Sequence, residues 1–274
     1  MDSNLAGKIV VITGSTRGIG RAMAETCSSQ GATVVVSSRT ASAVDETVKA
    51  LRVSGATTTG VVCDVARDED LAALLSHAVE THGGVDVWVN NAGISLGMRR
   101  HIDTSPEEIR RIIAVNLTST MVASRLIVPY FVGRGGGVLI NVSGRGGRGD
   151  TSAFTAAYAA TKAGVMVFTK SLAEEHKGDP ISVLVFMPGM VDTDFYGESM
   201  EVAPDLTDLA GNIRVVLDAI GTPIEMVGPK LAEVACTPPG TRSGTVHSVN
   251  GGGRMMLGGL KLMWARMTGR MKPM

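Results

Sequence analysis

Seven short runs of apolar, mostly β-branched residues punctuate this chain: KIVVIT at 8–13, ATVVVSS at 32–38, TGVVC at 59–63, VDVWVN at 85–90, GVLINVS at 137–143, ISVLVFM at 181–187 and GTVHSV at 244–249. They are apolar without alternation, the pattern of strands covered by helices on both faces rather than on one. Segments of helix length lie between them, at 18–30, 67–82, 105–131 and 154–177. Strand and helix in strict turn predict an α/β fold, a doubly wound parallel sheet of about seven strands with helices on both faces. A chain of 274 residues with 44% apolar residues is enough for one such domain. Its core is expected over 5–252, with a tail at 253–274. Thr104 or Ser105, followed by Pro106 and Glu107, marks a helix start. The segment 195–228, rich in Met, Asp, Gly and Pro, shows no clear period and is expected to be an irregular cover over a substrate pocket.

Charge and cysteine narrow the function classes. The net charge is zero, so nucleic acid is not an expected partner. Cys27, Cys63 and Cys236 have neither CxxC nor Cys/His ligand spacing, which predicts buried thiols and no metal site. The first residues lack a signal-peptide pattern and no segment approaches 18 apolar residues, so a cytoplasmic address is expected.

The first strand runs directly into TGSTRGIG, residues 13–20. Gly14 permits a sharp turn, Gly18 lets backbone approach a pyrophosphate, and Gly20 lets the next helix pack on the strand, while Thr16, Arg17 and Ile19 fill the loop. The chemistry this pattern serves is dinucleotide binding. At the end of the second strand an acid would accept a ribose 2′-OH, whereas a cation suits a 2′-phosphate. The chain has Ser38 and Arg39 there, with Arg17 nearby, a combination that favours NADP(H) over NAD(H); the plainer reading is two solvated arginines. Asp64, beside Val65, ends the third strand where it would meet adenine. Asn91, Ala92 and Gly93, in NNAG, end the fourth and would line the cofactor.

Tyr158 and Lys162 stand four residues apart, on one face of a helix. A phenol ionises near pH 10, too high for acid–base work, but an adjacent ammonium and a positive nicotinamide ring favour phenolate. TGSTRGIG, NNAG, Asn116, YAATK at 158–162 and PGMVDT at 188–193, in this order, resemble the short-chain dehydrogenase/reductase family over residues 5–252. The resemblance implies that Tyr158 donates a proton to a carbonyl oxygen as hydride arrives, that Lys162 also holds the nicotinamide ribose, and that Asn116 keeps a relay water. It further implies that Pro188 and Gly189 shape a turn under the nicotinamide and that Val191 and Thr193 contact its carboxamide.

One position departs from the family pattern. Most members carry a Ser-Ser pair ending the fifth strand, and its second serine binds the substrate oxygen. Here the pair reads Ser143-Gly144, so either Ser143 has taken that role or Gly144 leaves it unfilled. A glycine-rich stretch without the pair, with PGMVDTD later, is similar to chlorophyll b reductase-like members. The implied function is NADP(H)-dependent interconversion of a carbonyl and an alcohol on an apolar small molecule. The rival is a cofactor-binding protein of the same fold acting as regulator or scaffold. A homodimer or homotetramer is implied by the family, through helices near 105–131 and 154–177.

Two basic regions remain. Arg99, Arg100, His101, Arg145 and Arg148 are expected near the pocket rim, either to meet an anionic substrate group or simply as solvated charge. After Glu233 no acid occurs, whereas Arg242, Arg254, Lys261, Arg266, Arg270 and Lys272 do. Leu260, Met263, Trp264, Met267 and Met271 form a helical stripe, expected to pack on its own subunit, close a pocket or seal an oligomer, with peripheral membrane contact as the alternative.

Overall fold

A computed structural model describes residues 4–53, 55–193, 200–250 and 252–271. Each apolar run forms a strand: β1 (Ile9–Ile12), β2 (Thr33–Ser38), β3 (Thr58–Val62), β4 (Val87–Asn90), β5 (Gly137–Val142), β6 (Ile181–Met187) and β7 (Val246–Ser248). All pair in parallel in one sheet of order β3-β2-β1-β4-β5-β6-β7. The order reverses between β1 and β4, which opens a crevice at the carboxyl ends of those strands, where ligands bind in such sheets.

The absence of alternation now has its cause. Successive strand residues face opposite sides, and both sides are core. Val10, Ile12, Val34, Val36, Ile140 and Leu184 pack beneath α1 (Gly18–Ser29) and α8 (Val227–Ala235). Val11, Val35, Trp88, Leu139 and Val183 pack beneath α3 (Asp68–His82) and α5 (Ser119–Gly133). The helix α2 (Ala41–Val53) covers the β2/β3 edge. Cys27 and Cys63 are free buried thiols pushed up to about 12, chiefly by burial.

Ser105 caps α4 (Pro106–Ile113): its hydroxyl accepts from the Glu108 amide at 3.2 Å and the Glu108 carboxylate accepts from the Ser105 amide at 2.9 Å. A π turn at Ala114–Thr118 joins α4 to α5. An 18-residue window of this continuous helix, Pro106–Gly133, reaches a mean hydropathy of 1.5, which by length and composition alone would suffice to cross a bilayer. Half of that window is buried inside the fold, as in a core helix.

Two expectations are corrected. The segment 195–228 is not irregular where it is described; it holds α7 (Thr207–Ile220), and residues 195–199 lie outside the described residues. Leu206, Ile213, Leu217 and Ile220 carry a helical period that the surrounding Gly, Asp and Pro obscure. In the tail, α9 (Gly252–Met267) docks on α7 through Gly258, Leu262 and Ala265, while Leu260, Met263, Trp264 and Met267 are exposed. A Cβ on Gly258 would come 2.2 Å from Ile220 Cγ2, so a small residue there selects the docking face against the more apolar stripe.

Candidate active site

A cleft of about 1350 Å³ opens at the carboxyl ends of the strands. It exceeds the roughly 300–1,000 Å³ of a site for one small ligand and has room for two. Every residue predicted to bind a dinucleotide lines it: Gly14, Thr16 to Gly20, Ser38, Arg39, Asp64, Val65, Asn91 to Gly93, Pro188, Gly189, Val191 and Thr193. Tyr158, Lys162 and Ser143 line it as well; Asn116 does not.

Tight backbone packing builds the phosphate end. Gly14 has φ +64°, and a Cβ on it would lie 2.9 Å from the Ala92 Cα; one on Gly20 would lie 2.2 Å from the Gly14 carbonyl oxygen. Side chains then lock the loop. Ser15 Oγ donates to the Ile12 carbonyl at 2.7 Å, and Asn91 Nδ2 donates to the carbonyls of Thr13 and Gly14 at 2.9 and 3.0 Å. Asn91 is thus a brace for the glycine loop from across the β1/β4 crevice. Arg17, in extended conformation at the N-cap of α1, leaves the first-turn amides of that helix at the cleft. The end of β2 offers Ser38 and exposed Arg39 and no carboxylate. These residues fit a dinucleotide.

The reacting end sits on α6 (Ala156–Glu175), whose first turns carry Tyr158 and Lys162. Phe154, two residues before the helix, has φ +65°, a strained conformation for a bulky side chain, and its carbonyl accepts from the Arg99 amide at 3.0 Å. Lys162 is 5% exposed; its Nζ donates to the Val142 carbonyl at 3.0 Å and lies 5.7 Å from the Tyr158 ring centre. Burial pulls its ammonium down from 10.5 to about 8. Asn116, on the π turn, is bound on both sides of its amide: Oδ1 accepts from the Ile94 amide at 2.8 Å, and Nδ2 donates to the Ile94 carbonyl at 2.9 Å. Its side chain ties the loop after NNAG to the helix and is a positioning group.

A model of the short chain dehydrogenase family matches residues 8–202. The chain is a short-chain dehydrogenase/reductase. It is 36% identical over 255 residues to 3beta-hydroxysteroid dehydrogenase 1 of Eggerthella lenta, covering 92% of this chain and 95% of that one. It is 34% identical over 203 residues to a probable chlorophyll(ide) b reductase of Arabidopsis thaliana, NYC1, covering 68% of this chain but only 41% of that protein. Among solved structures, actinorhodin polyketide ketoreductase with NADPH superposes with a TM-score of 0.77 at 28% identity, over 89% of this chain and 96% of the other. The 3-ketoacyl-(acyl-carrier-protein) reductase of Brucella melitensis, complexed with NADH, gives 0.74 at 29% identity, over 91% and 99%. The chemistry of this oxidoreductase family is carbonyl–alcohol redox with a nicotinamide dinucleotide.

For this short-chain dehydrogenase/reductase the serine question has a geometric answer. Ser143 is 2% exposed and its Oγ donates to the Lys162 carbonyl at 2.9 Å, so the hydroxyl serves the helix that carries Tyr158 and Lys162. A Cβ built on Gly144 would lie 2.8 Å from Tyr158 Oη. Gly144, not Ser143, holds the position facing the phenol.

The rim also differs from the sequence reading. Arg145 and Arg148 line the cleft, Arg148 donating to Ser248 Oγ at 2.9 Å. Arg99, Arg100 and His101 do not. Arg99 bridges Glu108 at 2.8 Å and Glu201 at 2.5 Å, and Arg100 pairs with Asp205 at 3.5 Å. The Arg99 pairs and the Met98 amide bond to the Glu201 carbonyl at 2.8 Å fasten residues 200–203 beside the cleft, which Met200 and Glu201 line. Glu201 is 102 residues from Arg99, beyond any local sequence signal.

Sequence reasoning also missed a buried polar chain beneath the site. Trp88 Nε1 donates to Asn90 Oδ1 at 2.8 Å, Asn90 Nδ2 to Asn141 Oδ1 at 2.9 Å, and Asn141 Nδ2 to Thr169 Oγ1 at 3.0 Å. It joins β4, β5 and α6, fixing α6 against the strand ends. A polar residue ending two otherwise apolar runs was the available signal.

Proposed function

We propose that this chain is an NADP(H)-dependent reductase or dehydrogenase that interconverts a ketone and a secondary alcohol on a bulky apolar, cyclic or polyketide-like substrate. The observation that carries the reading is the meeting of Tyr158, Lys162 and the glycine loop on one cleft. When bound, the nicotinamide supplies or accepts hydride. Tyr158 gives its phenolic proton to the substrate oxygen in reduction and removes it in oxidation. Lys162, held by the Val142 carbonyl, places its ammonium beside the ring and favours the phenolate. Asn116 holds the Ile94 backbone, and with it the wall after β4, in register with α6. Arg39, with Arg17, reads the 2′-phosphate.

Gly144 itself supplies no hydroxyl toward the phenol it faces, and this favours a bulky ketone whose oxygen rests chiefly on Tyr158. The whole-length likeness to a hydroxysteroid dehydrogenase and the ketoreductase structure support a substrate of that size and polarity. The same glycine supports the second reading, a cofactor-binding scaffold, because losing one donor to a developing oxyanion costs roughly 10²- to 10³-fold in rate. NADPH titration by fluorescence followed by consumption assays on ketosteroids and cyclic and polyketide ketones separates the two. Turnover of a bulky ketone is expected. Tight binding with no consumption across the panel would favour the scaffold.

A further inference from the structure

The helix α9 turns its most apolar side away from the protein. Met256, Leu257, Leu260, Met263, Trp264 and Met267 are each 54–80% exposed. At 3.6 residues per turn they fall within an arc of about 120°, centred opposite the docked face of Gly258, Leu262 and Ala265. Lys261 and Arg266 fall on the two flanks of that arc, roughly 110° to either side. The Arg270 guanidinium lies 4.9 Å from the Trp264 ring centre.

Charge decides the occupant. No acidic residue follows Glu233, so pairing this helix with itself across a two-fold axis would set cations against cations with no carboxylate of the segment to answer them. An apolar strip flanked by cations, carrying a tryptophan and anchored by its opposite face, is matched by the boundary of an anionic bilayer. The methionines, leucines and Trp264 would enter the acyl margin, and Lys261, Arg266 and Arg270 would meet lipid phosphates. We propose that α9 is an interfacial anchor that seats the folded enzyme in the plane of an anionic membrane surface.

The test uses the full chain with vesicles of phosphatidylcholine alone or mixed with phosphatidylglycerol. Trp264 is one of two tryptophans, and the other, Trp88, is buried and hydrogen-bonded to Asn90, so a change in emission on binding reports α9. Flotation with the mixed vesicles and a blue-shifted emission are expected. Each cation near the surface contributes on the order of 1 kcal/mol, so binding to neutral vesicles is expected to be at least about tenfold weaker, with a loss on added salt. The L260E/M263E double variant changes exposed positions and is expected to keep NADPH binding while losing flotation; W264F is expected to lose the shift. Absence of flotation with anionic vesicles would overturn the proposal. So would light scattering that shows L260E/M263E splitting an oligomer of the unmodified protein, which would assign the strip to a second copy.

Discussion

At the scale of single residues, the account rests on what Lys162 and its neighbours do with little space. Burial lowers the Lys162 ammonium to about 8, which at about 1.4 kcal/mol per pKa unit opposes folding by roughly 3 kcal/mol near neutral pH. The unfolded chain holds this proton up to 10.5, so the opposition is full below about 8 and is released as pH rises from about 8 towards 10.5. Lys162→Met is therefore expected to melt no lower than the unmodified protein at pH 7 while losing activity, by calorimetry and NADPH consumption. The affinity of the unmodified protein for NADPH is expected to fall as pH rises through about 8, where the charge is lost, and that of the variant to be flat. Ser143→Ala removes one buried hydrogen bond, expected to cost about 0.5–1.5 kcal/mol of stability. Its kcat is expected to change by less than about tenfold, below the roughly 10²- to 10³-fold of a lost oxyanion donor. The tyrosine and lysine were legible because their spacing is local. The serine was ambiguous because adjacent positions on a strand end face opposite ways, and sequence does not say which one meets the phenol.

At the scale of elements, seven strands were legible from unbroken apolar runs, since a strand covered on both faces has no polar side to interrupt it. Elements with one exposed side were harder. The stripe in α7 is interrupted by Gly211 and Asn212, and in α9 the buried face is marked by Gly258 and Ala265, small residues that hydrophobicity does not rank. The polar link between β4, β5 and α6 is likewise tertiary, and it makes its own prediction. Asn141→Leu leaves the Asn90 amide without its acceptor in a buried place and is expected to lower stability by about 1–3 kcal/mol. A denaturant midpoint measures it; an unchanged midpoint would mean that the link does not hold α6 in place.

At the scale of the molecule, one sheet gathers at the β1/β4 reversal residues that lie far apart in sequence, from Gly14 to Thr193. Such convergence is legible only once several motifs are recognised in order, and long-range pairs such as Arg99 with Glu201 stay hidden. Cofactor choice belongs to this scale because it depends on how β2 ends beside the glycine loop. Arg39→Ala is expected to weaken NADPH about 10- to 100-fold, as loss of a charged hydrogen bond does, and to leave NADH unchanged in equilibrium titration. The central claim is that the phenol of residue 158 moves the proton, and the most direct measurement is single-turnover oxidation of NADPH by Tyr158→Phe in the presence of a reducible ketone. Unaltered NADPH affinity with a rate reduced by roughly 10²- to 10⁴-fold is expected, whereas a rate equal to that of the unmodified enzyme would contradict the mechanism.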